Sequence, residues 1–530
     1  MAACQAFSLP MQEGKRALAA AEVQAFIARL DRTVQMPSHL GGCLADPFWI
    51  GTLSSLSSLR NAIAINWPAR SSEADLDNLD RDFKDWMECL QSNLKHRATP
   101  WWGIPRYIWA ALAQRSDKLY QALYCFLYMV LSAGRLPAQM ITTQMVPADK
   151  KNNKPGTRAF RLIQLCDDLA KSLLGSIWSK RQNYYAYNTF GFVPIRSRQD
   201  AVILIALSRW WLKHQHKSSI SLFYDLANAF GSSKHVNLNR AIGDCAAGKH
   251  HDVLCSTHLC AVWLIDIDGP NVIAVAPQAG DAQGSVVAPQ KFVSGVAPVF
   301  EHIFKSVRTM LADICIKCFC PFTHRTVYIG DVTFCDDVAQ VLPLASYKSL
   351  NNFLMNRFSV FDDELFHAGF AQNHDKLQTL ATFVGEDSQV ARTWLSKNTD
   401  LRRKYGVQLD GAKHLGSYHA LDGCCGFDVD KHIASAGRAL LKIKKILTMT
   451  SIRLAFRANI YRTLIRSVLV SGLEVVIFNN TVSLKLGRFQ TNTLRLLGCG
   501  ILRRINNDVV RQLTRCPTIQ SCVLVQRLRC

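Results

Sequence analysis

At 530 residues the chain is long enough for two to four domains, and 49% hydrophobic residues give it material for real cores, which excludes a disordered tail. Lys and Arg total 62 against 40 Asp and Glu, a formal charge of +22 that favours a polyanionic partner, nucleic acid first and an acidic membrane surface second. The longest apolar runs, 119–133 and 467–478, are too short to span a bilayer, and MAACQAFSLPMQEGKR lacks a basic region leading into an apolar core, so neither membrane insertion nor secretion is expected.

Eighteen cysteines without framework spacing fit a reducing compartment, nucleus or cytoplasm. Their tightest cluster is Cys315, Cys318 and Cys320, with Cys255, His258 and Cys260 upstream; it reads either as a zinc site or as ordinary thiols.

Residues 1–98 read as a helical extension. Ser72 and Asp75 resemble a capping box, after which Leu76, Leu79, Phe83, Trp86 and Leu90 recur at helical spacing, with Asp77, Asp80 and Asp82 off that stripe. A second helix, 116–133, closes at Gly134 and Pro137 and is apolar nearly all round, which predicts burial between other elements. From Ile141 the pattern becomes strand, basic loop, strand, carrying Lys150, Lys151, Lys154 and Arg161; a soluble hairpin would look the same. FGFVPIRSRQDAV leads into a helix over 201–212.

SSISLFYD alternates as a strand that ends on Asp225, with helix-forming sequence from Ser232. Farther on, TVYIGDVTFCDDVAQVLPLA reads as a hairpin whose turn carries Asp336 and Asp337, flanked by Val332, Phe334, Val338 and Val341. Two Asp residues in a turn also suit plain solvation. In TVSLKLGRFQTNTLRLLG, Val482, Leu486, Phe489, Thr493 and Leu496 share one helical face and Lys485, Arg488, Asn492 and Arg495 another, with Gly498 as the stop. The basic face is a candidate phosphate track, as is LKIKKIL with Lys442, Lys444 and Lys445.

In this order the stretches resemble the reverse transcriptases of non-LTR (LINE-type) retrotransposons. The strand Asp followed by Ala-Phe is Asp225 with Ala229 and Phe230, and the Gly-Phe-x-Pro-x-Arg-Ser element is Gly191, Phe192, Pro194, Arg196 and Ser197, followed by Asp200 and Ala201. The Gln-Gly turn is Gln283 and Gly284, with Pro289 and Phe292 after it. The Tyr/Phe-x-Asp-Asp box spans Phe334 to Asp337, the Asn-x-x-Lys element is Asn373 and Lys376, and the Lys-x-Leu-Gly element is Lys413, Leu415 and Gly416.

The resemblance implies an α+β right-hand polymerase: a helical extension over 1–98, fingers and an antiparallel palm over 99–420, and a helical thumb with the start of a further region over 421–530. It implies RNA-directed DNA synthesis from dNTPs on an RNA template, with a DNA primer or target DNA, two Mg²⁺ ions (or Mn²⁺), and no membrane partner. Asp225 and Asp336 would bridge the metals, Asp337 would support the primer-side ion, and the Leu226 carbonyl would add a ligand. Phe230 would lie under the incoming sugar and exclude a ribose 2′-hydroxyl. Arg161, Lys150 and Lys151 would grip the triphosphate. Gln283 and Gly284 would let backbone approach the nascent pair, Lys376 would serve the leaving pyrophosphate, and Arg196 would join Lys485, Arg488 and Arg495 on nucleic acid.

The sequence departs from the family pattern at Leu162, Asn228, Gly231 and Ala282, which is what a diverged or decayed copy would show, one that only binds nucleic acid. No endonuclease is expected within this chain, and its end at QRLRC reads as that of a fragment.

Overall fold

In a computed structural model the described residues are 78–92, 98–150, 160–179, 185–268, 271–275, 277, 279–310, 316–320, 324–421, 425–476 and 478–527. The capping box at Ser72, most of the 1–98 extension, Lys151, Lys154 and Cys315 lie outside them. The fold is α+β, with small sheets among many helices. Among the described residues no helix is long and apolar enough to cross a membrane.

In chain order the elements that matter here are α1 (Leu79–Gln91), α2 (Arg106–Arg115), α3 (Asp117–Ala133), β1 (Thr142–Asp149), β2 (Phe160–Leu165), α4 (Asp168–Ser179), α5 (Arg198–His214) and β3 (Ser218–Asp225). Next come β4 (Val262–Asp268), β5 (Asn271–Val275), α6 (Ala288–Met310), β6 (Lys317–Cys320), β7 (Arg325–Tyr328), β8 (Asp331–Phe334), β9 (Asp337–Leu344), α7 (Leu350–Ala368) and β10 (Gln378–Thr382). Last are β11 (Gly411–His414), β12 (Ser417–Ala420), α8 (Cys425–Leu447) and α9 (Asn480–Leu497). Two compact units form, one drawing its described residues from Met1–Tyr185 and Asn228–Val296, the other from Ala186–Ala227 and Ala297–Cys530.

In the first unit α1 buries Phe83, Trp86 and Leu90, the stripe read from the sequence, and Trp86 donates to the Ser172 hydroxyl at 2.9 Å. Asp80, off the stripe, accepts from the Tyr124 hydroxyl at 2.7 Å. Helix α3 starts on a Ser116 cap and stops where Gly134 turns left-handed (φ 64°). Its expected all-round burial is corrected: Leu123, Leu127, Val130 and Leu131 face the core, while Tyr120 and Met129 are exposed. Tyr120 keeps its ring edge against Phe83, and an amphipathic aromatic tolerates that half-wet position. The unit's sheet runs β2-β1-β4-β5, with β1 and β4 parallel and both outer pairs antiparallel.

The second unit holds an antiparallel sheet in the order β10-β3-β9-β8. Its central strand β3 is covered on both faces, so that Ser219 and Ser221 are buried along with Ile220, Leu222, Phe223 and Tyr224. On one face Tyr224 stacks on Phe361 of α7 at 4.0 Å; on the other Phe223 joins Ile205 and Leu212 of α5 in the core and stacks on His419. A separate helical core unites α8, α9 and the segments between and after them, through Val429, Tyr461, Leu469, Leu486 and Leu494 among others. Helix α9 carries an Asn479 cap that accepts from the Val482 N–H at 2.9 Å, and it ends at Gly498 as the sequence predicts.

Candidate active site

Strand β3 delivers Asp225 at its last position, directly opposite Asp337, the first residue of β9. Like charges facing across a ladder repel, so this pairing costs stability unless something neutralises it. The hairpin β8–β9 closes in two residues, Cys335 and Asp336, with Phe334 paired to Asp337. Cys335 takes φ 61° and Asp336 does not, the pattern of a II′ turn, whose twist suits the strands. That turn sets Asp336 beside the pair. The Leu226 N–H donates to the Asp336 carbonyl at 3.3 Å, tying the two carboxylate segments together through backbone.

The Asn-x-x-Lys element closes on the same spot. Asn373 donates its N–H to the Asp225 carbonyl and its side-chain amide to Asp225 Oδ2, both at 2.8 Å. Lys376 Nζ lies 2.9 and 3.0 Å from the two Asp225 carboxylate oxygens. Asp225 is thus compensated; the other two are not. Burial raises Asp336, with the Asp225 charge adding to it. Burial, then Asp336 and Asp225, push Asp337 up to about 7.

Three gathered carboxylates, two of them without a counter-charge of their own, are a donor set suited to a hard divalent cation. As placed, no three Asp, Glu, His or Cys side chains among the described residues stand close enough to hold an ion, and Asp225 is turned to Lys376 and Asn373.

The Gly-Phe-x-Pro element braces this hairpin, which the sequence did not reveal. Phe190 N–H donates to the Thr333 carbonyl and Thr333 N–H to the Asn188 carbonyl, each at 2.8 Å. A Cβ on Gly191 would overlap the Cys335 nitrogen, so only glycine allows this approach. Arg196, expected on nucleic acid, directs Nη1 at the carbonyls of Ala186 and Thr189. Ser197 and Asp200 form a capping box for α5, and Arg198 and Gln199 each donate to buried Glu474 at 2.7 Å. Below the hairpin lies a second feature without a sequence signal beyond an Asp in an apolar run. Buried Asp331 accepts from Arg308 at 2.9 Å and from Gln340 at 2.6 Å, and Gln340 in turn accepts from Arg357 at 2.7 Å.

The remaining expected substrate residues belong to the first unit. Arg161 and Lys150 are exposed at the β1–β2 end of its sheet. Phe230, half-buried, stacks on Phe292 at 4.6 Å. The Gln283–Gly284 turn is docked on β2: Gln283 N–H donates to the Gln164 side chain, and a Cβ on Gly284 would overlap the Gln164 carbonyl oxygen. The close approach that glycine permits there is to the protein's own strand. Two departures prove coupled: Asn228 adopts φ 48°, and its amide lies where a side chain at Gly231 would sit. On α9, Lys485 bridges Asp430 at 2.9 Å, Arg488 is exposed, and Arg495 donates to Asn507 at 2.8 Å and to the Ile505 carbonyl at 3.1 Å. Cys318 is an exposed free thiol, and Cys255 is a buried one.

No protein-family model matches the chain, and no curated protein matches it. Among solved structures it is similar to apo telomerase from Candida tropicalis truncated from the C-terminal domain, at 13% identity and a TM-score of 0.32. That likeness covers 53% of this chain, which spans 57% of the telomerase chain.

Proposed function

We propose that the chain is an RNA-directed DNA polymerase of the non-LTR retrotransposon type, transferring nucleotides from dNTPs to a primer 3′-hydroxyl. The observation that carries this is the meeting of Asp225, Asp336 and Asp337 at one end of an antiparallel sheet, with Lys376 and Asn373 on Asp225. Bound divalent cations would supply activation of the hydroxyl and neutralisation of the triphosphate. Asp225, Asp336 and Asp337 would hold them, which requires Lys376 to leave the Asp225 oxygens. Until then its ammonium is the counter-charge there. Assignment of Phe230, Arg161 and Lys150 to the nucleotide rests on the sequence resemblance alone.

Primer extension on an RNA template with Mg²⁺ tests the reading: wild-type protein makes cDNA and the Asp336→Ala, Asp337→Ala variant makes none. Equal synthesis by both overturns it. A second reading, a decayed element that only binds nucleic acid, is favoured by the docking of Gln283 and Gly284 onto Gln164. It calls for salt-sensitive binding without incorporation.

A further inference from the structure

Helix α5 presents an apolar stripe to solvent. Ile203, Leu207, Trp210 and His214 follow the i, i+4, i+7, i+11 spacing of one face, with Trp211 beside them. Trp210 is 57% exposed, Trp211 45% and Leu207 51%. Large apolar groups contiguous on a surface mark an interaction site rather than packing. His214 stacks flat on Trp210, with ring centroids 5.1 Å apart and planes 8° apart, so one aromatic face is already used as a stacking platform.

Trp210 also stands at the seam of a cleft of about 170 Å³, whose walls include Arg209, Lys213, Tyr418, His419 and Asp428. A cavity of roughly 150 Å³ holds one benzene ring, so this one has room for a single six-membered heterocycle. Its polar walls are mostly engaged internally. Arg209 donates to the Ala420 and Leu421 carbonyls, and Asp428 accepts the Tyr418 N–H at 2.9 Å and lies 3.1 Å from His432. His419 differs: it is 6% exposed, and its Nε2 has no hydrogen-bond partner among the described residues. Ser219 lines the same cleft at the start of β3, six residues before Asp225, so the cleft lies about 20 Å along an extended strand from the carboxylates.

We infer that this face binds single-stranded nucleic acid, stacking unpaired bases on Trp210 and Trp211 and admitting one pyrimidine to the cleft. Lys217, exposed just past the helix, gives charge that complements a phosphate backbone. Aromatic and basic groups side by side fit a nucleic-acid strand better than an apolar protein helix, which has no use for the cation. The inference stands apart from the polymerase reading, because the cleft contains none of the three carboxylates.

The test is photocrosslinking of the full chain to a 5-iodouracil-substituted single strand, without dNTPs or divalent cation, followed by sequencing of the crosslinked peptide. Crosslinks at Trp210, Trp211 or Tyr418 are expected. The Trp210→Ala, Trp211→Ala variant should bind the strand about tenfold more weakly, and Trp210→Phe should recover part of the loss. Crosslinks confined to other surfaces, with unchanged affinity of the double variant, overturn the inference. So does a self-association of the wild type that the double variant abolishes, which would make the face a protein-docking surface. The crosslink position is read on unmodified protein, so a misfolded variant does not blunt the test.

Discussion

The two larger sheets hold their polar residues in opposite states. Where β3 ends and β9 begins, three carboxylates gather with one ammonium among them, and burial leaves Asp336 and Asp337 with charge that the protein does not neutralise. On β2 in the other unit, the Gln283–Gly284 turn is satisfied by Gln164 within the fold itself. Unmet electrostatic demand points to a site that awaits a partner; satisfied hydrogen bonds point to architecture.

The sharpest way to break that contrast is by rate. Asp336→Ala is expected to lower primer extension by roughly a thousandfold or more, as loss of a group acting on transition-state charge does, while Gln283→Ala changes it only a few-fold. Comparable losses for both would erase the distinction. Next come the two glycines. Gly191→Ala drives a methyl into the Cys335 nitrogen and Gly284→Ala into the Gln164 carbonyl, each expected to cost about 3 kcal/mol in denaturant unfolding. Gly191→Ala should also lower kcat by disturbing the carboxylate hairpin in protein that still folds.

Behind β3, burial lowers His414 to about 3 from its ordinary 6.5. The folded state then binds fewer protons than the unfolded one between those values, so the stability this residue contributes is whole above about pH 6.5 and lost as pH falls toward 3. His414→Phe should remove on the order of 2 kcal/mol of the acid-side loss, read as a flatter Tm against pH. Asp337 has the opposite sign. Raised to about 7 from 3.8, it favours the fold below pH 3.8 and loses that contribution as pH rises through 7. In metal-free buffer at pH 8, Asp337→Asn is therefore expected to gain about 1 kcal/mol, a gain absent near pH 4. Added Mg²⁺ should raise the Tm of the wild type more than that of the variant.

The sequence by itself determined local matters: the Phe83–Leu90 stripe, the α3 and α9 stops at Gly134 and Gly498, the strand ending on Asp225 and the acidic hairpin, whose turn it put at Asp336 and Asp337 where the structure has Cys335 and Asp336, with Asp337 already on β9. Each follows from residue spacing within a few turns of chain, where period and turn chemistry act directly. What only the tertiary structure decided is which polar groups remain available. That Lys376 sits on Asp225, that Arg196 turns to carbonyls, that Gly191 seats the hairpin and Gly284 seats on Gln164, all depend on segments remote in sequence. A hydrogen bond or a steric fit between such segments leaves no periodic trace in either one, because its energy exists only once the fold has brought them within about 3 Å.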